Sequence, residues 1–256
     1  MKELLLALPA RRETRGRSYG LIPAHMAYRI GPGPRLLGIQ LPQGLRGGVM
    51  QVDCAGFNGA GDPVGCCRQI LGECRRRSFR GIVCDFEGPP AGCLPKLVEI
   101  LDRNCAAQGW TLYVPECYAP HAPKARVLIP SALTHGALER RLREALERYG
   151  RERPTLAVEW VREEFPLPAR GRGEPMAQER LEELFQRLEP AVFFDRGLCA
   201  HYFTYMKGPQ AHFVLFDTPR SIREKLSLAN RLGVAAALLP QPEIEDHLEE
   251  IFGPGA

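Results

Sequence analysis

The chain has 256 residues, 45% hydrophobic and 25% charged, enough to bury a sizeable core in one barrel-sized domain or two small ones. Its net charge of +4 comes from scattered arginines and gives little reason to expect nucleic acid, and no apolar run approaches membrane-spanning length. Nine cysteines without one Cys-x-x-Cys pair argue against a zinc site or a disulfide framework, and fit reduced thiols in a cytoplasmic protein.

Residues 1–10 carry too short an apolar run for a secretory signal, and Glu3 spoils the basic start, so they read as a strand or short helix. A polar, basic loop over 11–20 follows. Apolar runs set off by Gly and Pro predict strands over 36–41 and 48–53, the second ending on Asp53 beside a Gly-rich loop. The spacing of Val64, Cys67, Leu71 and Cys74 predicts a helix over 63–77, and 81–85 reads as a buried strand. On that strand Val83, Asp85 and Glu87 point one way, and Ile82, Cys84 and Phe86 the other. Two acids on one face of an apolar strand are an expensive arrangement unless something uses them, because a buried, unpaired carboxylate is destabilising or shifts its pKa upward.

A helix is predicted to start near Pro89-Pro90 and to end at Gly109. Strands over 110–114 and 126–129, a strongly periodic helix over 136–149 and a strand over 155–161 follow. Residues 166–174 read as a basic loop, then a helix runs to Leu188. Strands are predicted over 191–194, 201–206 and 211–216, the last two as a hairpin around Gly208. Asp217-Thr218-Pro219 is a helix start, with proline at the first helical position. That helix ends at Gly233, before a strand over 234–239 and a terminal helix from Glu243. Strand-helix alternation without a linker, and strands apolar on both faces, predict one α/β domain over 1–256: a (β/α)8 TIM-type barrel, irregular or truncated at its N-terminal end. A doubly wound open sheet is the alternative. The absence of Gly-x-Gly-x-x-Gly and Walker loops argues against a nucleotide.

Two stretches carry a resemblance. Phe-Arg-Gly-Ile-Val-Cys-Asp-Phe-Glu, from Phe79 to Glu87, resembles the catalytic strand of glycoside hydrolase family 18, the chitinase-like barrels, whose motif reads Asp-Gly-x-Asp-x-Asp-x-Glu. Residues 213–233 are similar to that family's C-terminal region, where a strand ending in an acid precedes a Ser-Ile-x-x-Lys helix and the last barrel strand. Members involved in spore germination show this second pattern most clearly. The resemblance implies that Glu87 is the general acid and that Asp85 orients the substrate's 2-acetamido group, whose carbonyl attacks the anomeric carbon. No cofactor or metal is implied. Arg80 and Val83 stand where the motif has aspartates, so Asp85 is expected to lack the carboxylate with which it would share a proton. Leu239-Pro240-Gln241 stands where a tryptophan would floor the sugar site.

Strand ends face the active side of a barrel, which makes Asp53, Glu116, Tyr118, Trp160 and Gln241 candidate substrate-binding residues. The first expectation is a glycoside hydrolase acting on N-acetylhexosamine-containing glycans, peptidoglycan or chitin-like. The alternative is an inactive or weakened carbohydrate-binding or structural barrel, in a spore-related role. A third reading, an unrelated barrel enzyme, would use the strand-end acids on a small substrate or a divalent metal held by Asp53, Asp85 and Glu87.

Overall fold

Eight mostly apolar strands close into a barrel in the computed structural model, which describes residues 1–10, 14–133, 136–169, 171 and 173–254. Strand β1 (Glu3–Pro9) is followed by a single 3₁₀ turn and β2 (Ile22–Gly31), and β2 folds back as the short antiparallel β3 (Arg35–Gly38). Next come β4 (Val49–Asp53), α1 (Pro63–Arg77), β5 (Gly81–Asp85), α2 (Leu94–Gln108) and β6 (Thr111–Pro115). A 3₁₀ turn leads to β7 (Arg126–Pro130), α3 (Leu138–Tyr149) and β8 (Pro154–Ala157). The strands β1, β2, β4, β5, β6, β7 and β8 pair in parallel in chain order.

Between β8 and the last barrel strand the chain builds a second, antiparallel sheet from β9 (Arg162–Pro166), β10 (Glu174–Pro175), β11 (Phe193–Asp195), β12 (Ala200–Lys207) and β13 (Gln210–Phe216), with α4 (Gln178–Leu188) between β10 and β11. Helix α5 (Pro219–Leu232) returns to β14 (Ala236–Pro240), and α6 (Gln241–Ile244) and α7 (Leu248–Phe252) follow. Strand β14 pairs with β8 on one side and β1 on the other, placing Leu5 opposite both Leu238 and Ile22. That closure rules out the open sheet. The N-terminal irregularity is real, since among the described residues neither connection before β4 carries an α-helix.

Alternation along the strands sorts the core. Val83 packs inside the barrel with Leu5, Ala24, Val49, Tyr113 and Ala236, one residue from each of several strands. Cys84 and Ile82 point outward under the helices, among Cys66, Cys67, Ile70, Leu97, Leu101 and Cys105. All nine cysteines are unpaired, five of them in this core, where burial pushes the Cys67 thiol up to about 11 and Cys66 up to about 12. The five in the core act as small hydrophobes rather than nucleophiles.

Local chemistry explains the helix starts. Asp62 caps α1 by accepting from the Val64 and Gly65 amides at 2.8 and 2.9 Å, and Pro63 takes the position whose amide has no helical partner. Thr218 and Ser221 form a capping box at the start of α5. Helix α2 starts at Leu94 rather than at Pro89-Pro90. Gly92 holds a φ of +56° there, and Cys93 donates its amide to the Gly59 carbonyl at 2.8 Å, so the chain turns before it coils. Strands β2 and β9 lie where no strand was expected, and β8 ends at Ala157, earlier than predicted. The basic loop before Glu174 includes Arg170 and Arg172, which lie outside the described residues.

Candidate active site

The strand that carries the resemblance ends at the barrel's C-terminal mouth. There the chain leaves a cavity of about 1070 Å³, lined by Glu87 and Gly88 after β5, Pro130 and Ala132 after β7, Arg140, Arg141 and Glu144 of α3, Glu159 and Val161 after β8, and Glu163 of β9. Its volume lies at the upper end of the range of about 300–1,000 Å³ usual for ligand sites. Glu87 is exposed to it, and no hydrogen bond or ion pair holds the Glu87 carboxylate among the described residues. Arg80 sits at the opposite end of β5, where its amide bonds the Gly48 carbonyl.

Asp85 lies one strand repeat below Glu87 and is mostly enclosed. Its Oδ2 accepts a hydrogen bond from Gln51 Nε2 at 2.9 Å. Burial raises the Asp85 pKa; the Gln51 bond works against that rise, and the charges of Glu87 and Asp53 add to it. No carboxylate stands at position 83, and the group that bonds Asp85 is instead an amide from the neighbouring strand. Gln51 and Val83 are opposite one another in the β4–β5 ladder, and Asp53 is opposite Asp85.

The other strand-end candidates scatter. Asp53 is held by Arg29 of β2, whose Nε and Nη2 reach Oδ1 and Oδ2 at 2.6 and 3.1 Å, and Asp53 also accepts the Ala55 amide. Glu116 is bonded by Arg141 of α3 and by the Tyr149 hydroxyl, so it props the helix that lines the cavity. Tyr118 is fully buried and meets Phe86 edge-on at 5.6 Å, beneath the mouth rather than on it. Trp160 is half-buried and stacks on His247 at 5.4 Å, away from the cavity lining. Gln241 is buried and donates to Glu245 at 3.1 Å. The structure thus sets Asp53 beside Asp85 at the ends of β4 and β5, with Glu87 following, while Glu116, Tyr118, Trp160 and Gln241 are not among the residues lining the cavity. Among the described residues no group of His, Cys, Asp and Glu is arranged to hold a metal ion.

Sequence reasoning passed over Gln51, Arg140 and Glu163. One signal for Gln51 was present: within Val-Met-Gln-Val-Asp it is the polar residue on the face of Asp53 in an otherwise apolar strand. Glu163 was hidden because β9 reads Arg-Glu-Glu-Phe-Pro, a run without an apolar alternation.

No protein-family model matches the sequence. The fold does match solved structures. The Bacillus cereus spore cortex-lytic enzyme SleL aligns over 98% of this chain and 74% of its own, with a TM-score of 0.68 and 16% identity. A chitinase from Chromobacterium violaceum aligns over 94% and 95%, at a TM-score of 0.67 and 15% identity. The GH18 chitinase of Cycas revoluta, solved with (GlcNAc)3, aligns over 98% of both chains at a TM-score of 0.63 and 12% identity. The chain is similar to chitinase-like barrels in fold, across nearly its whole length.

Proposed function

We propose that the protein hydrolyses glycans containing N-acetylhexosamine, peptidoglycan or chitin-like, with Glu87 as general acid and Asp85 as the group that orients the substrate's acetamido arm. The observation that carries this reading is the pair of acids at the end of β5: Glu87 on the rim of a large cavity, its carboxylate without a partner among the described residues, and an enclosed Asp85 close enough to feel its charge. Glu87 would donate its proton to the glycosidic oxygen as the bond to the anomeric carbon breaks. The acetamido carbonyl oxygen would attack that carbon from the other side, while Asp85 accepts the amide N–H and supports the positive charge that develops. Glu87, now ionised, would take a proton from the water that opens the cyclic intermediate. The (GlcNAc)3 held by the similar chitinase supports this substrate class. No helix among the described residues is long and apolar enough to cross a membrane. The free thiols suit a reducing, cytoplasmic setting, in which the substrate would be a recycled glycan fragment.

A second reading has one observation in its favour. The described residues lining the cavity include no aromatic ring, and Gln241 stands buried at the end of the last barrel strand, so a stacking floor for the sugar is not evident. Such a barrel would bind glycans without cleaving them. Incubation with N-acetylated glycan oligomers separates the two. Turnover by the wild type that falls at least about 100-fold in Glu87→Gln, with binding retained, is expected. Saturable binding without wild-type turnover would establish the second reading instead.

A further inference from the structure

We propose that Gln51 is the positioning residue for Asp85, supplying from the neighbouring strand the support that position 83 does not give. The inference deepens the glycosidase reading and rests on it for its kinetic consequences, though not for its structural ones.

An aspartate at a strand end has freedom about two side-chain torsions, and a group that must meet a substrate amide has to be held. Nothing on its own strand does this below it. Val83 shares the face but is a hydrocarbon, packed against Leu5, Ala24, Val49, Tyr113 and Ala236. Gln51 stands beside Val83 in the ladder, and its longer side chain reaches up to Asp85 Oδ2 at 2.9 Å. Gln51 is 5% exposed, and its side-chain Oε1 has no hydrogen-bond partner among the described residues. Burying a polar atom unpaired is destabilising, and a leucine of similar size would avoid it. A side chain kept at a loss to the core, with its other end on a carboxylate at the mouth, points to function rather than packing.

The chemistry also differs from that of a carboxylate pair. An amide donates to Asp85 but cannot take up its proton, so Gln51 fixes Oδ2 and leaves Oδ1 for the substrate. The charged groups facing Asp85 are Asp53, which is itself held by Arg29 of β2, and Glu87 beyond it on the same strand. Both oppose its ionisation, and the Gln51 N–H is the group that favours it.

The test compares wild type with Gln51→Leu, using the pH titration of the Asp85 carboxyl carbon by NMR and steady-state kinetics on N-acetylglucosamine oligomers. Loss of Gln51 is expected to move the Asp85 midpoint to higher pH and to lower kcat about 10- to 100-fold with KM little changed. Adding Val83→Asp to Gln51→Leu is expected to restore part of kcat, which a merely structural glutamine would not allow. An unchanged midpoint together with unchanged kcat overturns the proposal. A wild type without turnover defeats the glycosidase reading alone, and the titration then decides the role of Gln51: an unmoved midpoint refutes it and a raised one upholds it. Gln51→Met, which keeps the side-chain length, serves for the same two measurements if leucine disturbs the barrel.

Discussion

Lys225 Nζ lies 2.6 Å from Asp217 Oδ2, and neither side chain reaches solvent. Asp217 directly follows β13 and Lys225 sits two turns into α5, so the pair spans the joint where the inserted sheet returns to the barrel. The same carboxylate accepts the Val161 amide at 2.8 Å and the Ser221 hydroxyl at 2.6 Å. The acid, serine and lysine in the C-terminal stretch that resembles chitinase-like barrels are therefore one buried network, tying the β8 exit to α5. Removing one partner strands the other as a buried charge. Lys225→Met is expected to destabilise the fold by roughly 3–5 kcal/mol, and adding Asp217→Leu to recover part of that loss. Urea midpoints at constant slope provide the check. A Lys225→Met protein as stable as the wild type would show that the network is not holding the joint.

The loop after Glu87 is fixed by a glycine pair. Gly92 has a φ of +56°, and a Cβ on it would come within 2.0 Å of the Gly59 carbonyl oxygen. Gly92→Ala therefore has to push apart the loops following β4 and β5, the strands that carry Asp53 and Asp85. A loss of about 1–3 kcal/mol is expected from the strained backbone and the clash together, with a larger fractional fall in kcat than in substrate binding. Gly88→Ala is the control. It has a positive φ but nothing within 4 Å of its Cβ, so it should cost less. Equal losses in the two variants would assign the effect to φ alone.

His25 predicts acid sensitivity. It is 6% exposed, lies 5.7 Å from the Phe79 ring, and its Nε2 has no partner among the described residues. Burial pushes its pKa down to about 4, with Arg17 and Arg77 adding to the effect against a hydrogen bond to the Gly47 backbone. Above the ordinary histidine value of 6.5 the ring is neutral in both the folded and unfolded states and contributes no pH dependence. As the pH falls from there towards 4, the unfolded chain takes the proton first, so stability drains by about 2–3 kcal/mol across that window. His25→Asn should flatten the fall in Tm between pH 7 and pH 4, whatever it does to Tm at pH 7. Parallel curves for the two proteins would exclude His25 as the source.

The sequence announces local features and conceals pairings. Helix α1 was legible from the spacing of Val64, Cys67, Leu71 and Cys74, and the structure adds its ends, the Asp62 cap at one and Ser78 at a φ of +56° at the other. Strand β5 and its facing were legible from the alternation of Val83 and Asp85 against Cys84. Strand β2 was not: Pro23, His25 and Arg29 interrupt its apolar run, and a bulge between Met26 and Tyr28 breaks its period. Its stability comes from β1 and β4 on either side, which no local pattern reports. Glu87 could be placed from the strand alone, whereas the hydrogen bond from Gln51 to Asp85 joins residues 34 apart and depends on the β4–β5 register. The scatter of Glu116, Tyr118, Trp160 and Gln241 has the same origin. Each follows a strand end, as barrel logic requires, but the turn after the strand decides whether the side chain faces the cavity or the core.

Asp85 itself should trade stability against activity. Burial raises its pKa above the usual carboxylate value, with Glu87 and Asp53 adding to the rise, so folding makes ionisation of Asp85 costlier than it is in the unfolded chain. For an acid shifted upward, the folded state is fully stable below the unfolded-state value of about 3.8 and loses stability as the pH rises through the folded value. At neutral pH the wild type carries that cost. Asp85→Asn removes the charge while keeping an oxygen able to accept the Gln51 N–H. Its Tm should exceed that of the wild type at pH 7, by roughly 2–4 °C for each kcal/mol relieved, and the gap should close as the pH falls towards 3.5. Turnover should drop by about 100-fold or more, because an amide cannot support the charge developing on the acetamido arm. A thermal scan at both pH values, paired with kinetics, tests the two halves separately. A variant less stable than wild type at pH 7 would mean that Asp85 is held ionised by groups beyond Gln51, and that its charge is part of what keeps the barrel mouth together.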